Sequence, residues 1–460
     1  MSAKANGERP QTDRVLSDHF GGALHVSGRR FVEVGVEWPC GASGNGGERI
    51  RGGSLAAAAT ARNESETEVD SRSRHDVMLA PMTRRAVLVL AAVAALLIAG
   101  YAVSVAAHWY RTGGDAFCLW EGARFVVSGR DPYDESAWRA ATSGLSCVGA
   151  YAYPLWTAIA TAPLGLLPLE AAMTIWMGMS LGAALVGVTL IWRAVCGSRR
   201  GAPLFLVLVV TSQPFAVLLI SGQITGIALG LVGLASLLLA DGRRGRALAV
   251  VSTLAVKPQL AALPIIAMGV RALYDRDRRA LVALGVPLVA AAAISVALSP
   301  SWPLEWIAAS VGPRIGVAEL LPTAWGLSAD VAGTPWLAPV LIALLLVAVV
   351  AVGGKRLGDG VSLFATALPV GLFAVPHVWS YDFLVLALPW GFALAAAYRT
   401  SGTTRAALLA STLVLASVLP WGLYAFAFSR GGEPLSAVIP ALTALLVAVS
   451  VRVPIARARG

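Results

Sequence analysis

Long apolar runs separated by short arginine-rich loops are the feature that most constrains what this chain can fold into. Of the 460 residues, 57% are hydrophobic and only 13% are charged, and the mean hydropathy is +0.71. A soluble domain carries roughly a quarter charged residues, whereas a run of about 20 apolar residues is long enough to cross a bilayer as a helix. The sequence therefore predicts an all-α polytopic membrane protein.

The first 80 residues do not share this pattern. They are rich in Gly, Arg, Ser and Glu, and they contain neither a sustained apolar period nor the apolar region of a signal peptide. The charged stretch 62–74 is typical of a disordered segment. Alternatively, the chain starts at Met82, just before a pair of arginines and the first apolar run. We expect 1–80 to be a disordered or mis-assigned extension and 85–455 to form the membrane domain.

The arginines between the apolar runs set the expected topology. The net charge of +10 comes largely from short loops, which the positive-inside rule places in the cytoplasm, and no nucleic-acid-binding motif is present. When every basic loop is placed in the cytoplasm and the long apolar runs cross the membrane between them, the chain has about ten full spans with both ends in the cytoplasm. The expected spans are about 86–106, 170–195, 202–220, 224–240, 280–299, 336–353, 361–376, 382–399, 406–427 and 435–452.

Two apolar stretches do not fit a full span. Residues 247–271 lie between two basic loops that both belong in the cytoplasm, and Lys257-Pro258-Gln259 stands in their middle. Because proline breaks a helix, and freed backbone at membrane depth is tolerated only inside protein or along a cavity, we expect a broken hairpin with Lys257 at its tip. The first outer loop, 107–168, is rich in aromatic residues and proline, which predicts interfacial helices and not a span.

With this topology, six polar side chains that are far apart in sequence reach the same outer face. Ionisable groups in or beside spanning segments are costly and usually functional. Their convergence therefore predicts a site on that face. The six residues are Asp115, Gln223, Lys257, Arg314, His377 and Asp382.

Asp115 is the expected chemical centre of this site. It follows Gly113-Gly114 directly after the first apolar run, and a short helix is expected from here to about Ser128, since Gly129 is suited to end it. A carboxylate at this place has two interpretations. In the first interpretation, the Asp115 carboxylate takes a proton from a substrate hydroxyl. In the second, it only caps its helix.

An outward-facing transferase has no nucleotide sugar available, so it needs a lipid-carried donor such as a polyprenyl-phosphate sugar. Its chemistry then needs a carboxylate for the acceptor proton, cations or hydrogen-bond donors for the departing phosphate, and an apolar groove for the prenyl chain. Asp115 fits the first role, and Lys257, Arg314 and His377 are candidates for the second.

The other polar side chains have structural alternatives, which the sequence leaves open. In the structural interpretation, Lys257 would extend its ammonium group to the membrane interface or pair with a carboxylate. His377 and Asp382 would form an ordinary interfacial pair. Gln223 would satisfy backbone groups at a turn, and Arg314 would be a solvated loop charge.

Neither the cysteines nor the acidic pairs predict a metal site. The four cysteines form no CxxC pair, although Cys118 and Cys147 share one polar segment and could form a disulfide in an oxidising compartment. Asp275 and Asp277 match the Asp-x-Asp pattern of nucleotide-sugar enzymes only superficially, because they lie in a basic loop expected in the cytoplasm.

A set of short motifs in a fixed order carries a resemblance to a known family. The motifs are Asp115, Gly129-Arg130-Asp131-Pro132-Tyr133, Tyr153-Pro154-Leu155, Gly222-Gln223, Lys257-Pro258-Gln259, and His377 with Tyr381-Asp382. In this order the chain resembles glycosyltransferase family 87, which includes the polyprenol-phosphate-mannose-dependent mannosyltransferases of actinobacteria. The resemblance covers about 85–455. Members often have Tyr-Pro-Pro where this chain has Tyr153-Pro154-Leu155.

The resemblance implies a multi-helical GT-C fold in a bacterial cytoplasmic membrane. It implies inverting transfer of a hexose, mannose above all, from a polyprenyl-phosphate donor to a lipid or glycan acceptor at the outer face. Asp115 would be the general base, and Lys257 and His377 would lie near the donor phosphate. We also expect Gln223, Arg314, Asp382 and Tyr153 at the substrate site. No metal or other cofactor is expected.

Two other functions remain open from the sequence. Helices broken at mid-membrane are also a feature of transporters, so a transporter or lipid flippase is the main alternative. Against it, the two halves of the chain show no repeat, and the first outer loop is long. A non-catalytic membrane scaffold is a third possibility, for which Lys257 would be an unexplained cost.

Overall fold

The computed structural model describes residues 114–142, 151–197, 202–315, 317–358 and 360–453, and every regular element among them is a helix. The expected extension at 1–80, the expected first span at 86–106 and Cys147 lie outside these residues. The division into an extension and a membrane domain and the possible disulfide therefore stay predictions.

The first part of the described chain forms nine α-helices. They are α1 (Asp115–Val127), α2 (Glu135–Thr142), α3 (Leu155–Gly165), α4 (Leu169–Cys196), α5 (Ala202–Val210), α6 (Gln213–Ser221), α7 (Thr225–Ala240), α8 (Arg244–Thr253) and α9 (Pro258–Tyr274). A single 3₁₀ turn, Leu254–Val256, lies between α8 and α9.

The second part adds nine more. They are α10 (Arg278–Leu298), α11 (Trp302–Ile315), α12 (Ala324–Ala332), α13 (Ala338–Gly353), α14 (Gly360–Ala374), α15 (Ala387–Tyr398), α16 (Gly402–Leu413), α17 (Leu419–Arg430) and α18 (Val438–Ser450). A 3₁₀ helix, Ser380–Leu386, leads directly into α15 and is called the Asp382 helix below. A π-helical turn, Val414–Val418, joins α16 to α17.

Among the described residues, five helices are long and apolar enough to cross a membrane, and a sixth span results if α5 and α6, bent by 61°, count as one. The five are Leu169–Cys196, Arg278–Leu298, Pro335–Gly358, Ser380–Tyr398 and Gly402–Ala427. The protein is thus polytopic, but the expectation of about ten full spans is not confirmed.

Three expected spans correspond to apolar helices that are shorter than a full span. They are Thr225–Ala240, Gly360–Ala374 and Pro434–Ser450. The first of them begins only after Gly222, which ends α6 with φ +64°. The stretch 247–271, expected to be a broken hairpin, is interrupted at Lys257-Pro258, where α9 begins.

The span formed by the Asp382 helix and α15 is the centre of the bundle, because 94% of its apolar window is buried. Large side chains of neighbouring helices cover it, among them Trp192, Phe205 and Leu229. Helix α10, by contrast, has only 11% of its window buried. A carboxylate at the start of a span that is enclosed by protein is much less costly than one facing lipid.

Helices α4 and α7 approach each other closely through glycines. A Cβ atom added to Gly187 would lie 2.4 Å from the Leu229 carbonyl oxygen, and one added to Gly233 would lie 2.4 Å from the Gly187 carbonyl oxygen. Small residues at such places let helix backbones pack against each other in membranes. This contact fixes α7, which begins next to Gln223, against α4.

We expect Gly187→Ala to lower the free energy of unfolding by about 1–3 kcal/mol, because overpacking pushes two backbones apart. Gly182→Ala is the matched control, since it lies in the same helix and an added Cβ meets nothing within 4 Å. Thermal unfolding in detergent measures both variants. Equal midpoints for the two would contradict the close helix contact.

The helices connect two chemically different ends of the bundle. One end collects arginines: Arg244 lies 2.5 Å from Asp275, Arg399 donates to the Val195 carbonyl, and Arg452 donates to the Val352 carbonyl. We call this the arginine end. Helix α7, about 24 Å long at 1.5 Å per residue, runs from Thr225 to this end.

Asp275 and Asp277, the two residues of the Asp-x-Asp pattern, both have structural roles at the arginine end. The Asp275 carboxylate contacts Arg244 and Arg271, at 2.5 and 3.0 Å. Asp277 Oδ1 accepts a hydrogen bond of 3.0 Å from the Ala280 backbone N–H and so caps α10. These contacts fit the interpretation that the pair is unrelated to nucleotide-sugar chemistry.

Candidate active site

Lys257 lies at the break between α8 and α9. Because Pro258 follows, the α conformation is disfavoured at Lys257, and its backbone angles are φ −133° and ψ 85°. The side chain is only 2% exposed. Its Nζ lies 2.5 Å from Asp382 Oδ1, 3.1 Å from Gln223 Oε1 and 3.2 Å from Thr225 Oγ1. These contacts use all three N–H donors of the ammonium group.

Asp382 is the buried partner of Lys257. Its Oδ1 also accepts a hydrogen bond of 2.8 Å from the Thr225 hydroxyl, and its Oδ2 lies 3.4 Å from the Trp379 backbone nitrogen. The residue has no exposed surface. Buried charges need both pairing and hydrogen bonds, and this carboxylate has both. Lys257 and Asp382 therefore form a fully enclosed ion pair with no net charge.

Gln223 joins this pair to Asp115. Its Oε1 accepts from Lys257 and from the Tyr153 hydroxyl, which lies 3.2 Å away, and its Nε2 donates to Asp115 Oδ2. The backbone presents it in a tight turn, because Gly222 ends α6 in the left-handed region and its carbonyl accepts from Trp176 Nε1 at 2.7 Å. The Gln223 amide thus connects the buried Lys257–Asp382 pair to Asp115 through hydrogen bonds and orients the Asp115 carboxylate.

Asp115 is the half-buried end of this chain of contacts. The N-cap position of α1 belongs to Gly114, and Asp115 is the first residue inside the helix. A carboxylate in the first turn is favoured by the helix dipole. Its Oδ2 accepts from Gln223. The sequence predicted Asp115, Gln223, Lys257 and Asp382 on one face, and the structure brings these four into one hydrogen-bonded chain.

The remaining predicted residues lie on neighbouring segments. Tyr153 contacts Gln223 directly. His377 stands in the segment before the Asp382 helix, half-buried, with its ring edge-on to Trp379 at a centroid distance of 6.4 Å. Arg314 lies in α11, and the position of its side chain is outside the described part of the structure.

Two residues of the site were not singled out from the sequence. Thr225 donates to Asp382 and accepts from Lys257, and the Lys257 ammonium lies 4.7 Å from the centre of the Tyr381 ring. Tyr381 precedes Asp382 in one of the motifs that carry the family resemblance, so the sequence contained a signal for Tyr381. Nothing in the sequence distinguishes Thr225 from the other hydroxyl residues of the apolar helices.

Helix α3 stabilises the break at Lys257 from outside. A broken helix leaves backbone carbonyls without helical partners, and such groups need other donors at membrane depth. Trp156 Nε1 donates to the Ala255 carbonyl at 3.0 Å, and the Thr157 hydroxyl donates to the Val256 carbonyl at 2.8 Å. The apolar stretch predicted to be interfacial is therefore a structural support for Lys257.

Thr157→Val should lower the free energy of unfolding by about 1–3 kcal/mol, because the half-buried Val256 carbonyl loses its side-chain donor. The control is Thr189→Val, where the hydroxyl is exposed and bonds only the Leu185 carbonyl of its own helix, at 3.0 Å. That change should stay within about 0.5 kcal/mol. If thermal unfolding of both variants shifts equally, the hydroxyl of α3 does not support the break.

A set of tyrosines fixes the first segment next to the site. The Tyr133 hydroxyl donates to the Tyr153 carbonyl at 2.7 Å, and Tyr151 packs between these residues with centroid distances of about 6 Å. Burial raises the pKa of both Tyr133 and Tyr151 above the ordinary value. Both therefore stay neutral; Tyr133 donates a hydrogen bond, and Tyr151 packs against the neighbouring rings.

An apolar cleft opens beside Asp115. It lies between α1, α4 and α6. Methionines and other flexible apolar side chains adapt to ligands of varied shape. The lining includes Ala116, Phe117, Met173, Met177, Leu219 and Gly222.

The fold and the buried polar chain define a multi-span membrane protein with a carboxylate site at the end of the bundle opposite the arginines. Residues 151–421 match the family model of glycosyltransferase family 87. The chain belongs to this family and is a membrane glycosyltransferase. No curated protein and no solved structure matches it.

The matched range holds most of the site residues, Tyr153, Gln223, Lys257, His377 and Asp382 among them. Asp115 lies before it. The hydrogen bond between Gln223 and Asp115 is thus one of the links between the first described segment and the matched part of the chain.

Proposed function

We propose that this enzyme transfers a hexose, with mannose as the preferred sugar, from a polyprenyl-phosphate donor to a lipid or glycan acceptor. The reaction takes place at the outer face of the bacterial cytoplasmic membrane. The observation that carries the proposal is the hydrogen bond from Gln223 to Asp115, which places a half-buried carboxylate next to an apolar cleft.

The arginine end supports this orientation. Basic loops stay on the cytoplasmic side, so the opposite end with Asp115 faces the exterior. Nucleotide sugars are absent there, and a sugar carried by a membrane lipid is the available donor. Family membership favours this transferase over the transporter or lipid flippase that the sequence alone left open.

In the proposed reaction Asp115 acts as the general base. Its carboxylate takes the proton of the acceptor hydroxyl, the acceptor oxygen forms a bond to the anomeric carbon, and the bond between that carbon and the phosphate oxygen breaks. The electron pair leaves with the polyprenyl phosphate. One displacement inverts the anomeric configuration, as in other transfers that use a single base carboxylate.

Gln223 orients the base, and Lys257 with Asp382 orients Gln223. Since Lys257 is enclosed and its donors are occupied, we assign it a positioning role in this arrangement. Its contact with the donor phosphate stays a prediction from the family resemblance, as does that of His377. The contact of Arg314 stays a prediction from its expected place on the outer face. Cations at the phosphate would stabilise the charge that develops there.

The apolar cleft between α1, α4 and α6 is the proposed groove for the first prenyl units. It begins at Ala116, the residue after the base, so a chain held there would bring its phosphate close to Asp115. Its wall is mostly apolar, with Met173, Met177 and Leu219 in it, and Ser221 is also part of the lining.

A donor comparison tests this function. Purified protein in liposomes receives a membrane lipid extract as acceptor and one labelled donor at a time: polyprenyl-phosphate mannose, polyprenyl-phosphate glucose, GDP-mannose or UDP-glucose. We expect label in product from lipid-linked mannose and none from the nucleotide sugars. Transfer from a nucleotide sugar alone would contradict the proposal.

A further inference from the structure

Three cations lie together at the arginine end, beside the C-terminal end of α13. Lys355, Arg356 and Arg452 line an open depression there with Gly353, and all three cations are exposed. Among the described residues, which do not include Asp359, none of the three cations forms a salt bridge. The depression therefore has a positive charge that no described carboxylate compensates.

Backbone carbonyls hold the two arginines in place. Arg452 Nε donates to the Val352 carbonyl, and its Nη2 donates to the Ala351 carbonyl at 2.9 Å. Arg356 Nη1 donates to the Arg452 carbonyl. A guanidinium has five N–H donors, so these bonds leave donors of both groups for a ligand. Fixed guanidinium donors are the groups that bind phosphate oxygens best.

A purely structural role accounts for only part of this cluster. Cations near the C-terminus of a helix are favoured by the helix dipole, and the last carbonyls of a helix need donors from outside. Arg452 meets both needs of α13. Lys355 is exposed and makes no hydrogen bond among the described residues, so its charge is available to a ligand in the depression.

The depression lies at the end of a span that faces lipid. Pro335–Gly358 is long and apolar enough to cross a membrane, and only 22% of its apolar window is buried. Val340, Leu344 and Val347 are 53%, 60% and 66% exposed, and their spacing places them on one face of α13. This face continues to Ala351, whose carbonyl accepts a hydrogen bond from one of the two arginines. Acyl chains packed along this face would bring a phosphate to the cations.

We propose that the depression binds the headgroup phosphate of an anionic phospholipid, whose acyl chains lie on the exposed face of α13. Basic pockets beside spanning helices attract such headgroups because the membrane surface concentrates anionic lipid next to them. The site is at the arginine end, opposite Asp115, and is therefore separate from the proposed groove for the prenyl donor. The inference goes beyond the proposed function and does not depend on the donor sugar or on the general base.

Thermal unfolding of the full chain in a nonionic detergent identifies the source of the phosphate. The three additives are phosphatidylglycerol, phosphatidylcholine and inorganic phosphate at equal concentrations. We expect phosphatidylglycerol to raise the unfolding midpoint more than phosphatidylcholine does, because a ligand that binds only the folded state stabilises it. Inorganic phosphate should leave the midpoint unchanged. An equal rise with inorganic phosphate would assign the depression to a soluble anion, and equal rises with the two lipids would remove the phosphate site; both results would overturn the proposal.

A pair of double variants locates the lipid on the protein. Lys355→Gln with Arg356→Gln removes two cations from the depression and keeps Arg452, which contacts the end of α13. Arg243→Gln with Arg246→Gln is the matched control, because it removes two exposed arginines near Arg244 at the same end. Native mass spectrometry during a phosphatidylglycerol titration gives the affinity of each.

We expect K355Q/R356Q to bind phosphatidylglycerol about 10- to 30-fold more weakly than the wild type, and R243Q/R246Q to bind it with wild-type affinity. Equal losses in the two double variants would show attraction by overall charge only and overturn the site. Wild-type affinity in K355Q/R356Q would overturn it as well. If K355Q/R356Q does not fold, Lys355→Gln alone decides the matter, since it breaks no hydrogen bond among the described residues and should weaken binding about fivefold.

Discussion

We expect the replacement of Asp115 by Asn to lower the turnover of sugar transfer by about 10²- to 10⁴-fold, the range in which general bases contribute. Asparagine keeps the shape of the side chain, and its oxygen still accepts the hydrogen bond from Gln223. It cannot take the proton of the acceptor hydroxyl. The loss should therefore fall on turnover, while the amount of folded protein stays the same. Labelled product per unit of purified protein is the measurement.

Asp134→Asn is the matched control for this variant. Asp134 is an exposed carboxylate in the same segment, and its Oδ1 caps α2 through the backbone N–H groups of Ser136 and Ala137. Asparagine caps helices about as well as aspartate, so activity and stability should stay at the wild-type level. Full activity of D115N next to an equally active D134N would remove Asp115 from the chemistry.

Replacing Lys257 by Met has the largest expected effect on stability. Removing one partner of a buried ion pair leaves an uncompensated charge and costs about 3–5 kcal/mol. Here the charge left behind is Asp382, which has no exposed surface. Gln223 also loses its contact with Lys257, so activity should be lost as well. Thermal unfolding and label transfer are measured on the same preparation.

The double variant Lys257→Met with Asp382→Leu separates stability from function. Replacing both members of a buried pair with apolar residues is often neutral or stabilising. We expect the unfolding midpoint to return close to that of the wild type, while transfer stays low because Gln223 no longer has its anchor. If the double variant regains activity, Lys257 and Asp382 serve folding only. If the single variant is as stable as wild type, the pair is not an enclosed ion pair.

The sequence predicted that the site residues lie on one face, but it did not predict which of them pair with each other. Counting basic loops brought Asp115, Gln223, Lys257 and Asp382 to one face, and proline after Lys257 correctly predicted a break there. That Lys257 pairs with Asp382, 125 residues away, depends on how the two helices are rotated about their axes. Hydrophobic patterns with weak periodicity do not specify this rotation.

The supporting contacts were equally invisible in sequence. Trp156 and Thr157 bond carbonyls that are freed by a break 99 residues away. The count of about ten spans is not confirmed by the described residues. Three of the expected spans, 224–240, 361–376 and 435–452, correspond to apolar helices of 10–17 residues, and the expected span 86–106 lies outside the described residues.

The anomeric configuration of the product tests most directly whether Asp115 acts as the base of a single displacement. The substrate is polyprenyl-phosphate mannose of one defined anomeric configuration, and NMR of the new glycosidic bond gives the configuration after transfer by the wild-type enzyme. We predict inversion, with no product from D115N above background. Retention of configuration would contradict a single displacement, because it requires a nucleophile on the enzyme and a covalent intermediate.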